Sequence, residues 1–90
     1  ASSFWVSPNP FTGTTCLRFV TRRPRVGTVR IYDQAGNLVR ALADGSRQVG
    51  LHSVVWDGTD AAGNRVAPGV YFCTVSAGAA ASCRKLVLSD

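Results

Sequence analysis

The residues of this 90-residue chain whose types and spacing could do chemistry are few: three cysteines, a single histidine, and five acidic residues, all of them aspartate. Three cysteines in so short a chain suit an oxidising, extracytoplasmic compartment, and the odd count leaves one over. Cys73 and Cys83 flank the turn around Ala77-Gly78 symmetrically, so on a tight hairpin they would face each other across adjacent strands. A Cys73–Cys83 disulfide is the first expectation, with Cys16–Cys73 or Cys16–Cys83 next, because bridging requires Cβ atoms within about 4.5 Å. In the first case Cys16 is the spare thiol, either buried or available for an intermolecular link. No Cys-x-x-Cys is present, so a metal site is not expected.

General acid–base catalysis needs a titratable group held beside a partner. His52 is the only histidine, it falls in a strand-like run, and nothing in the sequence places a nucleophile beside it. The segment Asp57-Gly58-Thr59-Asp60-Ala61-Ala62-Gly63-Asn64 has a superficial likeness to a calcium loop, but an EF-hand loop closes on a bidentate Glu and the chain has no Glu. It reads instead as a hydrogen-bonded turn leading to the Pro68-Gly69 corner. Neither catalysis nor a cofactor is expected.

The net charge is +5, and Lys85 is the only lysine. Arg22-Arg23-Pro24-Arg25 is the densest basic stretch. Nucleic-acid binding would pair such charges with exposed aromatics on which bases stack, whereas the aromatics here fall in strand positions that a small core needs. The basic stretch reads as a solvated turn, with no nucleic-acid partner. Mean hydropathy is +0.09, and no uninterrupted apolar run approaches the ~18 residues of a membrane span.

The elements that must position these residues are strands. No stretch repeats apolar residues at helical spacing over three turns; β-branched and aromatic residues fall in short runs separated by Gly, Pro, Asn and Asp. The runs are 4–6, 15–20, 27–32, 38–42, 51–56, 70–75 and 83–88. Leu17 and Phe19 alternate with Arg18, and Val29 and Ile31 with Arg30, while 70–75 is apolar on both faces as a central strand would be. Asp33-Gln34-Ala35-Gly36-Asn37 and Asp60-Ala61-Ala62-Gly63-Asn64 share the pattern Asp-x-Ala-Gly-Asn, in which Asp accepts hydrogen bonds from later amides and Gly supplies positive φ. The structural turn residues are therefore Asp33, Gly36, Asp57, Gly58, Asp60, Gly63, Pro68 and Gly69. Short strands with no helix to cover a sheet imply two sheets face to face. The expected fold is a single all-β domain over 1–90, a seven-stranded antiparallel β-sandwich of Ig-like or fibronectin-III-like type, with 1–10 as an N-terminal edge or exchanged strand.

The order of motifs is also familiar. Ser7-Pro8-Asn9-Pro10-Phe11, Val29-Arg30-Ile31-Tyr32-Asp33, Val54-Val55-Trp56-Asp57-Gly58, Val66-Ala67-Pro68-Gly69-Val70-Tyr71 and Arg84-Lys85-Leu86-Val87-Leu88 resemble the FlgD-like Ig-like domain family. That family includes the Ig-like domain of the flagellar hook-capping protein and C-terminal modules of the type IX secretion sorting kind. The resemblance covers nearly the whole chain and implies an Ig-like fold. Cys16, Cys73 and Cys83 depart from the family pattern.

Two functions are expected of such a chain, neither enzymatic. The first is a self-associating subunit of a cell-surface filament or similar assembly, a homo-oligomer or polymer held through the apolar segment Phe4, Trp5 and Val6 by strand addition. The second, implied by the resemblance, is a secretion-sorting or surface-anchoring domain released from a larger secreted protein, with secretion or surface-assembly machinery as its partner. A hook-cap-like assembly chaperone is a third class. The chain opens at Ala1 without an initiator Met, which is expected of a mature or released product. All of these place it outside the bacterial cell or on its surface.

Overall fold

Successive strand side chains point to opposite faces, and β2 (Thr15–Thr21) follows that rule: Thr15, Leu17 and Phe19 are buried while Arg18 between them is exposed. The computed structural model describes residues 4–21, 25–47, 50–77 and 80–89. The remaining strands are β1 (Phe4–Ser7), β3 (Arg25–Tyr32), β4 (Leu38–Arg47), β5 (Gly50–Trp56), β6 (Gly69–Ala77) and β7 (Ala80–Leu88). They form a three-stranded sheet in the order β1-β2-β5 and a four-stranded sheet in the order β4-β3-β6-β7, with every ladder antiparallel. The all-β Ig-like sandwich is thus present. Among the described residues no helix is long and apolar enough to cross a membrane.

The core lies between the two sheets. Phe4, Leu17, Phe19 and Trp56 enter it from the three-stranded sheet, and Val29, Ile31, Tyr71, Cys73, Leu86 and Leu88 from the other. Phe11, from the β1–β2 connection, completes it, packing edge-on to Trp56 at 5.6 Å between ring centroids. Trp56 in turn meets Tyr71 edge-on at 5.4 Å, the geometry that ring quadrupoles favour. The doubly apolar β6 lies between β3 and β7, where both its edges are paired; Tyr71 and Cys73 are buried on its inner face, while Val70, Phe72 and Thr74 on the outer face are half-buried.

Two strands run beyond their apolar signal. β4 continues through Ala43-Asp44-Gly45-Ser46-Arg47 because its ladder with β3 continues, pairing Asp44 with Thr28 and Gly45 with Gly27. β7 begins at Ala80, paired with Ala77, three residues before the apolar run suggests. In both places main-chain hydrogen bonding extends the strand, and side-chain patterning is silent about it.

Candidate functional site

The two Asp-x-Ala-Gly-Asn segments fold identically. Asp33 Oδ1 accepts from the amides of Ala35 and Asn37, at 2.9 Å each. Asp60 Oδ1 does the same with Ala62 and Asn64, at 3.0 Å each. In each turn the glycine amide donates back to the aspartate carbonyl, with φ of +85° at Gly36 and +86° at Gly63, a conformation that favours glycine. The Asn37 amide beside Asp33 holds that carboxyl below the usual carboxylate range. The first turn closes the β3–β4 hairpin; the second sits between the bridged residues Thr59 and Arg65 on the path from β5 to β6.

Trp56-Asp57-Gly58 joins the second turn to the rest of the molecule. Trp56 is fully buried, and its Nε1 donates to the Thr59 carbonyl at 2.9 Å. Asp57 Oδ1 accepts from the Thr59 hydroxyl and amide and from Arg40, whose Nη1 lies 3.2 Å away. The Thr59 hydroxyl, with Arg40, lowers the Asp57 pKa. Arg65 then clamps three carbonyls: Nη1 donates to Asp57 O at 2.7 Å and Gly13 O at 3.1 Å, and Nη2 to Thr12 O. Its guanidinium lies against Gly58, where an added Cβ would come within 2.9 Å of Nη1. At the Pro68-Gly69 corner the Tyr71 hydroxyl donates to the Ala67 carbonyl. Asp33, Asp57 and Asp60 are therefore committed to holding turns, which is structural work and not proton transfer.

Sequence reasoning missed the part played by Asn9. Its Nδ2 donates to Lys85 O and its Oδ1 accepts from the Val87 amide, both at 2.9 Å, so one side chain satisfies two groups on the outer edge of β7. Phe11 continues the cover, its amide donating to Val87 O at 2.9 Å and its carbonyl accepting from the Ser89 amide at 2.8 Å. Thr15, buried, donates to Pro8 O at 2.6 Å and fixes the segment from the other side. Unpaired strand edges recruit other chains, and the Pro8-Asn9-Pro10-Phe11 motif covers this one. The signal that could have found Asn9 is its place between two prolines, which cannot donate to a ladder.

Phe4, Trp5 and Val6 do not share a surface. β1 pairs with β2 of its own chain, Phe4 opposite Phe19 and Val6 opposite Leu17. Phe4 is buried in the core with the Arg84 guanidinium 5.3 Å from its ring centroid, and Val6 packs on the core's edge. Trp5 alone points outward, 46% exposed.

The expected Cys73–Cys83 bridge is corrected by the register. Cys73 lies opposite Arg84 and Cys83 opposite Thr74, so the hairpin is centred half a residue beyond the point that would align them. A one-residue offset puts two side chains on opposite faces of a sheet: Cys73 is buried in the core, Cys83 exposed outside. Cys16 is half-buried on the other sheet, opposite Val55, and all three thiols are free. Burial pushes the Cys73 thiol up to about 12. His52 stacks on Phe19 at 5.5 Å between centroids. Among the described residues no group of three or more His, Cys, Asp or Glu is placed to hold a metal ion. Arg22, Arg23 and Pro24 lie outside the described residues.

Strand order, core and turns define an Ig-like β-sandwich. The chain belongs to the FlgD Ig-like domain family, whose model matches residues 9–81. Two solved structures contain a similar module: dimeric latent PorU from Porphyromonas gingivalis (TM-score 0.71, 22% identity, 94% of this chain and 9% of that one), and PorZ from the same organism (TM-score 0.70, 22% identity, 97% and 11%). PorZ is described as an essential bacterial surface component of the type-IX secretion system. The chain spans about a tenth of the length of these two, and at this identity the likeness shows the fold. No curated protein matches the sequence.

Proposed function

We propose that this chain is a non-catalytic secretion-sorting or surface-anchoring module of an extracellular or cell-surface bacterial protein, recognised by secretion or surface-assembly machinery. The observation that carries the reading is the match of 94% and 97% of the chain to a single module within PorU and PorZ. The chemistry agrees: the turn carboxylates are occupied, Asp33 and Asp60 by amides and Asp57 by Thr59 and Arg40, and the one histidine ring is stacked on Phe19. The filament-subunit reading has less support, because the segment meant to exchange between subunits is seated on β2 of its own chain, with Phe4 in its own core. The test is a periplasmically exported fluorescent reporter fused to the module in a bacterium that has a type-IX secretion system. Protease-accessible reporter on the cell surface is expected; reporter retained in the periplasm, with the module folded, would reject the reading.

A further inference from the structure

Among the described residues, three of the four exposed large apolar side chains lie on one face of the molecule, the outer face of the three-stranded sheet: Trp5 at 46%, Leu51 at 62% and Val55 at 58% exposure. The register arranges this face in three rows, Ser7–Cys16–Val55, Trp5–Arg18–Ser53 and Val20–Leu51. Arg18 stands at its centre, exposed and making no ion pair with any described residue. An aromatic ring, two aliphatic side chains and a guanidinium that no described carboxylate pairs thus project from one face of a chain whose net charge is +5.

Area and charge decide what such a face can hold. With strands ~4.8 Å apart and ~3.3 Å per residue, three strands and three rows present roughly 300 Å², allowing for side-chain width. A stable protein interface needs about 800 Å² per partner, so the face is too small to hold a protein domain by itself. A second copy meets a further obstacle: a two-fold axis through the face would set Arg18 against its own counterpart. A lipid surface requires no shape complementarity. Tryptophan favours the headgroup boundary, arginine binds phosphate oxygens bidentately, and a basic chain is drawn to an anionic leaflet.

We propose that the outer face of the three-stranded sheet docks the module onto an anionic lipid surface, with Trp5, Leu51 and Val55 at the headgroup boundary and Arg18 on a lipid phosphate. The proposal rests on the composition of this face and is independent of whether the module directs secretion. The two tryptophans make it directly measurable, since Trp56 is fully buried and Trp5 is exposed; a change in emission on adding vesicles reports Trp5.

The purified chain is titrated with vesicles of phosphatidylcholine containing phosphatidylglycerol, and with vesicles of phosphatidylcholine alone. A blue shift with the anionic vesicles and little with the neutral ones is expected. Arg18→Gln should weaken binding about fivefold, the worth of one surface charge near an anionic leaflet. Val55→Ser, which leaves the reporter in place, should weaken it as well. Near-ultraviolet circular dichroism identifies any variant that has lost its fold, and co-sedimentation of Trp5→Ser gives a second readout of binding. No shift with anionic vesicles, equal binding to neutral ones, or an Arg18→Gln variant that binds like the parent would overturn the proposal. So would a blue shift that appears without lipid as protein concentration rises, which would make the occupant a second copy.

Discussion

Replacing Asn9 by alanine should open one edge of the sandwich without touching its core. The side chain makes two hydrogen bonds to β7, to Lys85 O and from the Val87 amide, each 2.9 Å and each solvent-exposed. Intramolecular hydrogen bonds contribute about 0.5–1.5 kcal/mol net. For an exposed pair the lower half of that range applies, which gives a loss of about 1–2 kcal/mol. Denaturant unfolding should show a lower midpoint at unchanged slope, since the surface exposed on unfolding is the same. Amide exchange localises the effect: the Val87 amide should exchange on the order of tenfold faster, since about 1.4 kcal/mol corresponds to a factor of ten. The amide of Ser89, held by Phe11 O, should keep more of its protection. An Asn9→Ala protein with an unchanged midpoint and an unchanged Val87 exchange rate would refute the role assigned to this residue.

Three further perturbations have defined outcomes. Gly58→Ala puts a Cβ 2.9 Å from Arg65 Nη1 at φ +74° and should cost about 1–3 kcal/mol; with Arg65→Ala the two losses should be less than additive, because the clash is then gone and only the backbone strain remains. An aromatic-disulfide thiol reagent should label exposed Cys83 in the native protein and leave buried Cys73 until unfolding, and oxidised protein should yield no Cys73–Cys83 cross-linked peptide on mass spectrometry. The Cys73 thiol, raised from 9.0 to about 12, makes the folded state hold its proton after the unfolded chain has lost it. Its contribution is therefore complete below pH 9 and falls toward pH 12 by at most about 1.4 kcal/mol per pH unit. Cys73→Ala should remove that part of the alkaline slope, as read by denaturant titration at several pH values.

Much of the fold was legible because burial in a sandwich follows a period of two. Leu17 and Phe19 about Arg18, and Val29 and Ile31 about Arg30, fix which faces turn inward. The twin turns were legible because Asp and Gly at fixed spacing have one good local solution, which both segments adopt. Interactions between distant segments were not. Asn9 reaches Lys85 and Val87 across 76 and 78 residues, and Arg65 reaches Thr12 and Gly13 across 53 and 52; no local pattern encodes either. The cysteine pairing failed on a smaller quantity. Symmetry about Ala77-Gly78 is one residue away from the real register, in which Ala77 pairs with Ala80, and a single residue reverses the face on which Cys83 stands. Phe4, Trp5 and Val6 look like one apolar segment in sequence, yet the same alternation sends Phe4 and Val6 inward and Trp5 out.

The reporter fusion tests the proposed function most directly when it is run in two strains, one with a working type-IX secretion system and one lacking it. An exported reporter carrying this module should reach the cell surface in the first strain and accumulate in the periplasm of the second, while the reporter alone stays periplasmic in both. Equal distribution of the fused reporter in the two strains, with the module folded, would contradict the sorting and anchoring role.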